Sequence, residues 1–169
     1  GGSTLTQQLA KNLYPRSDYG ILSMPVNKVK EMITARRMER AYTKDEILEM
    51  YLSTVPFGEN TFGIKAAARQ FFNENPQDLK LEESAVLVGM LKATNTYNPV
   101  KNPESAKKRR NVVLNQMSKY EFLSPASADS LKELPLVADY HPLPHFAGIA
   151  PYFREFLRPE LDQWCNDYA

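Results

Sequence analysis

The composition is poor in everything that would announce a disulfide, a metal or a membrane span. The 169 residues hold one cysteine, Cys165, so an internal disulfide is excluded. Two histidines, His141 and His145, lack a third ligand at metal spacing and read as structural or incidental. The longest apolar run, Ala85–Leu91, falls far short of the roughly 20 residues that span a bilayer. No secretory leader is visible, and a chain that opens on Gly-Gly-Ser without Met is expected to be a piece of a longer protein. Neither sign of charge prevails: 21 Lys and Arg face 20 Asp and Glu, a net of +1. No overall field therefore draws nucleic acid, which is not expected as a partner, and any anion site must be local. What remains, 43% apolar and 24% charged residues, is enough for one globular domain with a proper core.

The opening stretch carries the densest set of chemical cues. Gly1 and Gly2 let backbone approach a ligand closely, and Ser3 or Thr4 can cap a helix, with Thr4 and Gln7 at capping-box spacing. Down that helix Thr4, Gln8 and Lys11 share a face. A glycine turn, free helical N–H groups, an amide and an ammonium suit a phosphate or pyrophosphate. A capped surface helix with a solvated polar face has the same spacing, and spacing alone leaves both open.

Tyr14–Pro25 reads as a loop with a high apolar load in Tyr14, Tyr19, Ile21, Leu22 and Met24. It either folds back on the core or forms an exposed patch for a membrane or a partner. The following helix, from Pro25 or Val26 to about Ala41, is charged nearly all round and so either floats in solvent or lines a polar cleft. Lys28 and Glu31 on it are a surface ion pair or, in a cleft, a carboxylate kept ionised beside a cation that reaches an anion. Further helices are predicted over 43–53, opened by the Thr43/Glu46 capping box, and over 64–73, 81–91, 103–120 and 125–134, with a turn-rich connection around Pro56–Gly63. The basic run Lys107–Arg110 is expected to be a solvated face. From Pro135 onward proline spacing predicts an extended connection, ending in an aromatic helix that begins near Ala150-Pro151.

Four blocks then stand in register: GGSTLTQQLAKN at 1–12, NKVKEMITARRMER at 27–40, the 44–72 block with YLSTVPFGENTFGIKAAARQFF, and the 81–117 block with TNTYNPVKNPESAKKRR. Together they resemble the family 51 peptidoglycan glycosyltransferase domain of bifunctional, class A penicillin-binding proteins. The resemblance implies an all-α, lysozyme-like two-lobed transglycosylase domain over residues 1–134, truncated at its N-terminus. Residues 135–169 are then a connecting segment toward a transpeptidase domain. It implies polymerisation of lipid II into glycan strands on the outer, periplasmic face of the cytoplasmic membrane, with undecaprenyl pyrophosphate leaving and an anchor upstream of this chain. Partners by the same resemblance are lipid II, the growing strand, moenomycin-type inhibitors, and a membrane surface met through the Tyr14–Pro25 loop.

Carried over by position, Glu31 is the second acidic residue of the catalytic pair. Gln8, Lys11 and Lys28 meet the donor sugar and pyrophosphate, Ser3 approaches through its hydroxyl, and Arg16 supplies a further cation. Lys11 and Lys28, on neighbouring helices, are expected to share one hollow. The family's general base lies in an earlier block that is not among these residues, so the isolated piece is expected to be inactive. Asn27 stands where the family usually has Arg, Ser53 for a usual Asn, and Asn73 for a usual Gly. No closed set of metal ligands is visible, although a divalent cation such as Mg is chemically compatible with a pyrophosphate leaving group. A lytic muramidase and a non-catalytic phosphoglycolipid-binding module remain the alternatives.

Overall fold

In the computed structural model, residues 4–14, 16–142 and 151–167 are described, and the side chains of 151–155 are left aside. Ser3 and His145 lie outside the described residues. The described residues form eight α-helices, a single 3₁₀ turn and one two-stranded hairpin. The helices are α1 Leu5–Leu13, α2 Ser23–Ala41, α3 Lys44–Thr54, α4 Ile64–Phe72, α5 Leu81–Met90, α6 Pro103–Lys119, α7 Pro125–Glu133 and α8 Pro151–Asp167. The hairpin pairs β1 Pro56–Gly58 with β2 Thr61–Phe62. The chain is thus all-α in class, and the hairpin is its one departure from the sequence expectation of plain turns.

Helix starts follow local chemistry. Thr4 Oγ1 accepts from Gln7 N at 3.2 Å, and Thr43 and Glu46 close a reciprocal box, Thr43 N donating to Glu46 Oε2 at 2.7 Å. Helix α2 begins at Ser23, earlier than the prolines suggest. Pro25 falls in its first turn, where the missing N–H has no intrahelical partner to lose. Asn73 caps α4 at φ 54, so asparagine here performs the left-handed task usually given to glycine. Glu59 and Asn60, at φ 53 and 58, are the two-residue loop of the hairpin, the pattern of a type I′ turn.

The core gathers α1, α3, α4, α5 and the hairpin around Leu9, Phe57, Phe71, Leu87 and Met90, all with no exposed surface. Ile47 and Tyr51 bring α3 into it, while Leu48 faces outward at 44% exposure. The basic run of α6 is not a uniformly solvated face. Arg110 is buried, its Nη2 donating to the carbonyls of Lys132 and Leu134, both at 2.9 Å. Those carbonyls belong to the last turn of α7 and just beyond, which have no intrahelical donors. One cation therefore fastens α7 to α6, a role spacing could not reveal.

Residues 135–142 have no regular secondary structure, and this segment returns to the core. Leu136 and Tyr140 pack against it, and His141 N donates to Gln70 O at 2.8 Å. Tyr140 also donates to Glu59 Oε2 at 2.6 Å, and Glu59 Oε1 takes Lys101 Nζ at 2.8 Å and Asn98 Nδ2 at 3.0 Å. These donors hold a glutamate in left-handed backbone, which few non-glycine residues adopt. Hydrogen bonds from Lys101 and Tyr140 keep the Glu59 carboxyl below its ordinary range.

Candidate active site

The candidate site is built where α1 and α2 pack, at the end where the loop between them turns back. Helix α2 buries an unusual stripe: Asn27, Glu31, Ala35 and Met38, spaced by one helical turn and half of it polar. Such a stripe cannot face an oily core without partners. Its polar half, Asn27 and Glu31, faces a cavity of about 380 Å³ lined also by Ala10, Tyr14, Arg16, Lys30, Ile33, Thr34 and Arg37, while Met38 joins the core. The charge all round α2 therefore reflects a helix lining a polar cleft.

Glu31 is the pivot, only 7% exposed. Arg16 donates to its Oε1 through Nε at 2.9 Å and Nη2 at 2.7 Å, and Lys28 Nζ lies 3.3 Å from Oε2. Both carboxylate oxygens are thus met by cations. Burial pushes the Glu31 carboxyl up, but the hydrogen bonds and charges of Arg16 and Lys28 outweigh it and hold its pKa below the usual value. At neutral pH this group is an ionised organiser of cations and a poor proton donor.

The loop that carries Arg16 leaves its apolar side chains in solvent. Ile21 is 99% exposed, Met24 78% and Leu22 62%. Of the two readings of this loop, folding onto the core is the one the structure removes.

Gln8 stands on the other side of α1, its Oε1 accepting from the buried Tyr51 hydroxyl at 3.3 Å. What Gln8 offers a ligand is therefore its amide N–H₂. Lys11 is exposed in the last turn of α1, one turn before Tyr14. Lys28 and Glu31 come together as their spacing suggested, and Arg16, which only the family resemblance had offered, joins them from the loop; neither Lys11 nor Lys28 is among the residues lining this cavity. The cavity's cations are instead Arg16, Lys30 and Arg37. Lys30 and Arg37 were missed as site residues, although their seven-residue separation on one face of α2 was legible. Charge decides what the cavity suits: three cationic side chains line it against one carboxylate, itself already met by Arg16 and Lys28.

Among the described residues no three histidine, cysteine or acidic side chains converge as metal ligands. With both Glu31 oxygens taken by cations, this cavity does not fit a divalent ion, and no chemistry is routed through one here. Among the described residues no helix is long and apolar enough to cross a membrane.

The family model for transglycosylases matches residues 1–118, which include every side chain lining the cavity. Penicillin-binding protein 1A of Escherichia coli is 38% identical over 161 residues, covering 95% of this chain and 18% of that protein. Penicillin-binding protein 1F of Bacillus subtilis is 43% identical over 128 residues, 76% of this chain and 17% of its own length. The crystal structure of penicillin-binding protein 1A from Haemophilus influenzae superposes with a TM-score of 0.56 at 35% identity, over 71% of this chain and 18% of that one. The chain thus spans under a fifth of the length of these relatives. With a mostly helical fold and a family match that takes in both the core and the cavity, this chain belongs to the transglycosylase family, as a transglycosylase region of the kind found in class A penicillin-binding proteins.

Proposed function

We propose that the protein containing this chain is a peptidoglycan glycosyltransferase that polymerises lipid II, the growing strand being donor and undecaprenyl pyrophosphate the leaving group. The observation that carries the reading is the cation-rich cavity of α1 and α2, with buried, ionised Glu31 at its wall. A diphosphate leaving group develops negative charge as its bond to the sugar breaks. Preorganised cations in a partly desolvated cleft stabilise that charge more than water does. Glu31 serves by fixing Arg16 and Lys28, so that neither must reorganise as the leaving group departs. Lys11 continues the site along α1 toward the donor sugar, and Gln8 and Ser3 are assigned to the same sugar and pyrophosphate by the resemblance of their block.

The exposed apolar loop fits the same reading. Ile21, Leu22 and Met24, with Val29, Met32 and Ile33 of α2 about half exposed, form an apolar surface beside the cavity. We place the lipid surface there, so that an undecaprenyl tail stays in the membrane while its diphosphate enters the cavity. The protein works on the outer face of the cytoplasmic membrane, held by a segment outside this chain. The general base is supplied from the earlier block, so tests use the intact protein.

Lipid II polymerisation by Lys28→Ala and by Arg16→Ala is expected to fall severely, and a moenomycin-type phosphoglycolipid to lose affinity with Lys11→Ala. Wild-type rates in both of the first two variants refute the assignment. So does release of sugars from finished sacculi with no lipid diphosphate donor, the mark of a muramidase.

A further inference from the structure

We propose that Asn27 is a positioning residue which clamps the α1–α2 loop so that the Arg16 guanidinium is delivered onto Glu31. The inference rests on the transferase reading above for its kinetic consequence, and on geometry alone for the clamp. Asn27 is 5% exposed and its carboxamide is fully used. Oδ1 accepts from Ser17 N at 3.2 Å, while Nδ2 donates to Ser17 O and to Ser23 O, each at 2.8 Å. Both backbone groups of Ser17 are therefore held by one side chain, and Ser17 directly follows Arg16.

Asn27 and Glu31 are one helical turn apart on the buried face of α2. Seizing Ser17 at the first position leaves the side chain of Arg16 one turn to cross, where it meets Glu31 Oε1 at 2.7 Å. Hydrophobic burial cannot perform this docking, because Tyr19, Ile21, Leu22 and Met24 all face solvent. Apart from the Arg16–Glu31 pair itself, the other ties between loop and α2, Ser23 with Asp18 and with Tyr19 N and Lys30 with the Tyr19 hydroxyl, are exposed. Exposed ties of this kind hold weakly. A loop without core contacts keeps one conformation only if its partly buried polar bonds do so, and two of the three that Asn27 makes hold the loop at Ser17, the third staying within α2 at Ser23. Without the clamp the Arg16 side chain, itself 45% exposed, is free to sample solvent.

The charged or titratable groups around Glu31 are Arg16 from the loop, Lys28, Lys30 and Arg37 from α2, and Tyr14 from the end of α1. Of these, Arg16 is the one Asn27 governs, which sets the test. In the intact protein, Asn27→Ala, Arg16→Ala and the double variant are compared by carbon-13 titration of the Glu31 carboxyl, assigned by its loss in Glu31→Gln. They are compared in parallel by kcat/KM for lipid II polymerisation. Asn27→Ala is expected to raise the Glu31 midpoint toward the Arg16→Ala value and to lower kcat/KM about tenfold. In the Arg16→Ala background it should move neither. Asn27→Gln, which keeps both polar atoms but displaces them by a methylene, should show the same dependence on Arg16 and serves if the alanine variant fails to fold. An unmoved Glu31 midpoint in Asn27→Ala, or an equal loss with and without Arg16, overturns the clamp. A moved midpoint in a protein whose wild type does not polymerise lipid II supports the clamp and removes the transferase reading instead.

Discussion

Replacing Glu31 by glutamine is the sharpest way to separate what this carboxylate does for the fold from what it does for chemistry. The side chain is nearly isosteric, so the cavity is preserved and only the charge goes. Two short bonds from Arg16, at 2.9 and 2.7 Å, and one longer contact from Lys28, at 3.3 Å, lose their ionic acceptor and become cation–amide or repulsive contacts. Each arginine bond keeps its charged donor and loses only the ionic acceptor, at about 1 kcal/mol apiece, so the two together lose about 2 kcal/mol. Both cations are more than two-fifths exposed, at 45% and 43%, and water recovers part of that loss. The net cost at neutral pH is then about 1 kcal/mol, or a fall in Tm of about 2–4 °C for a chain of this size. Linkage gives the comparison a second dimension. The folded pKa of Glu31 lies below its unfolded value, so its contribution is complete above the unfolded pKa and disappears as pH falls through the folded one. Urea unfolding of both proteins should show a gap of about 1 kcal/mol at pH 7 that narrows once pH falls below the ordinary glutamate value and closes below the lowered folded pKa. Loss of about 1 kcal/mol leaves the protein folded, so a fall in polymerisation of about a hundredfold or more is a loss of function at the site. A gap that persists unchanged at pH 3, or no gap at any pH, would show that Glu31 does not hold its cations as described.

Other expectations concern the frame around the site. Gly63 has φ 81 and ψ 152, and a Cβ there meets the Ser53 carbonyl oxygen at 2.5 Å. Gly63→Ala should cost about 3 kcal/mol or more in urea unfolding, since the obstacle is backbone and the conformation is close to glycine-only; a near-neutral result contradicts the geometry. Tyr140→Phe keeps the tilted ring contact with Phe71 at 5.9 Å and removes the hydroxyl's bond to Glu59 together with the longer one it accepts from Gln70 Nε2 at 3.4 Å. Hydrogen exchange at the amide of His141, bonded to Gln70 O, should quicken while the protection of α5 stays as it was.

The elements themselves were legible in the chain because their causes are local. Capping pairs such as Thr43 and Glu46, prolines at helix starts and the apolar spacing of α3 and α5 act within a few residues, and the observed bounds lie close to those they predict. Recognition of the family was also a property of the string, since block order and residue identity need no coordinates. The partnership of Lys28 and Glu31, three residues apart on one helix, belongs with these. What the string could not decide is everything set by where helices lie against each other. That Arg16 reaches Glu31 from a loop, that Lys30 and Arg37 rather than Lys11 and Lys28 line the cavity, and that Arg110 is buried while its basic neighbours are not, are outcomes of packing. A charge on a helix has the same sequence signature whether it faces water or a cleft, and only the neighbouring element supplies the difference. Asn27 shows this most plainly: in the sequence it reads as a lost cation, and in the fold its amide is bonded on both polar atoms to the loop that brings Arg16 to Glu31.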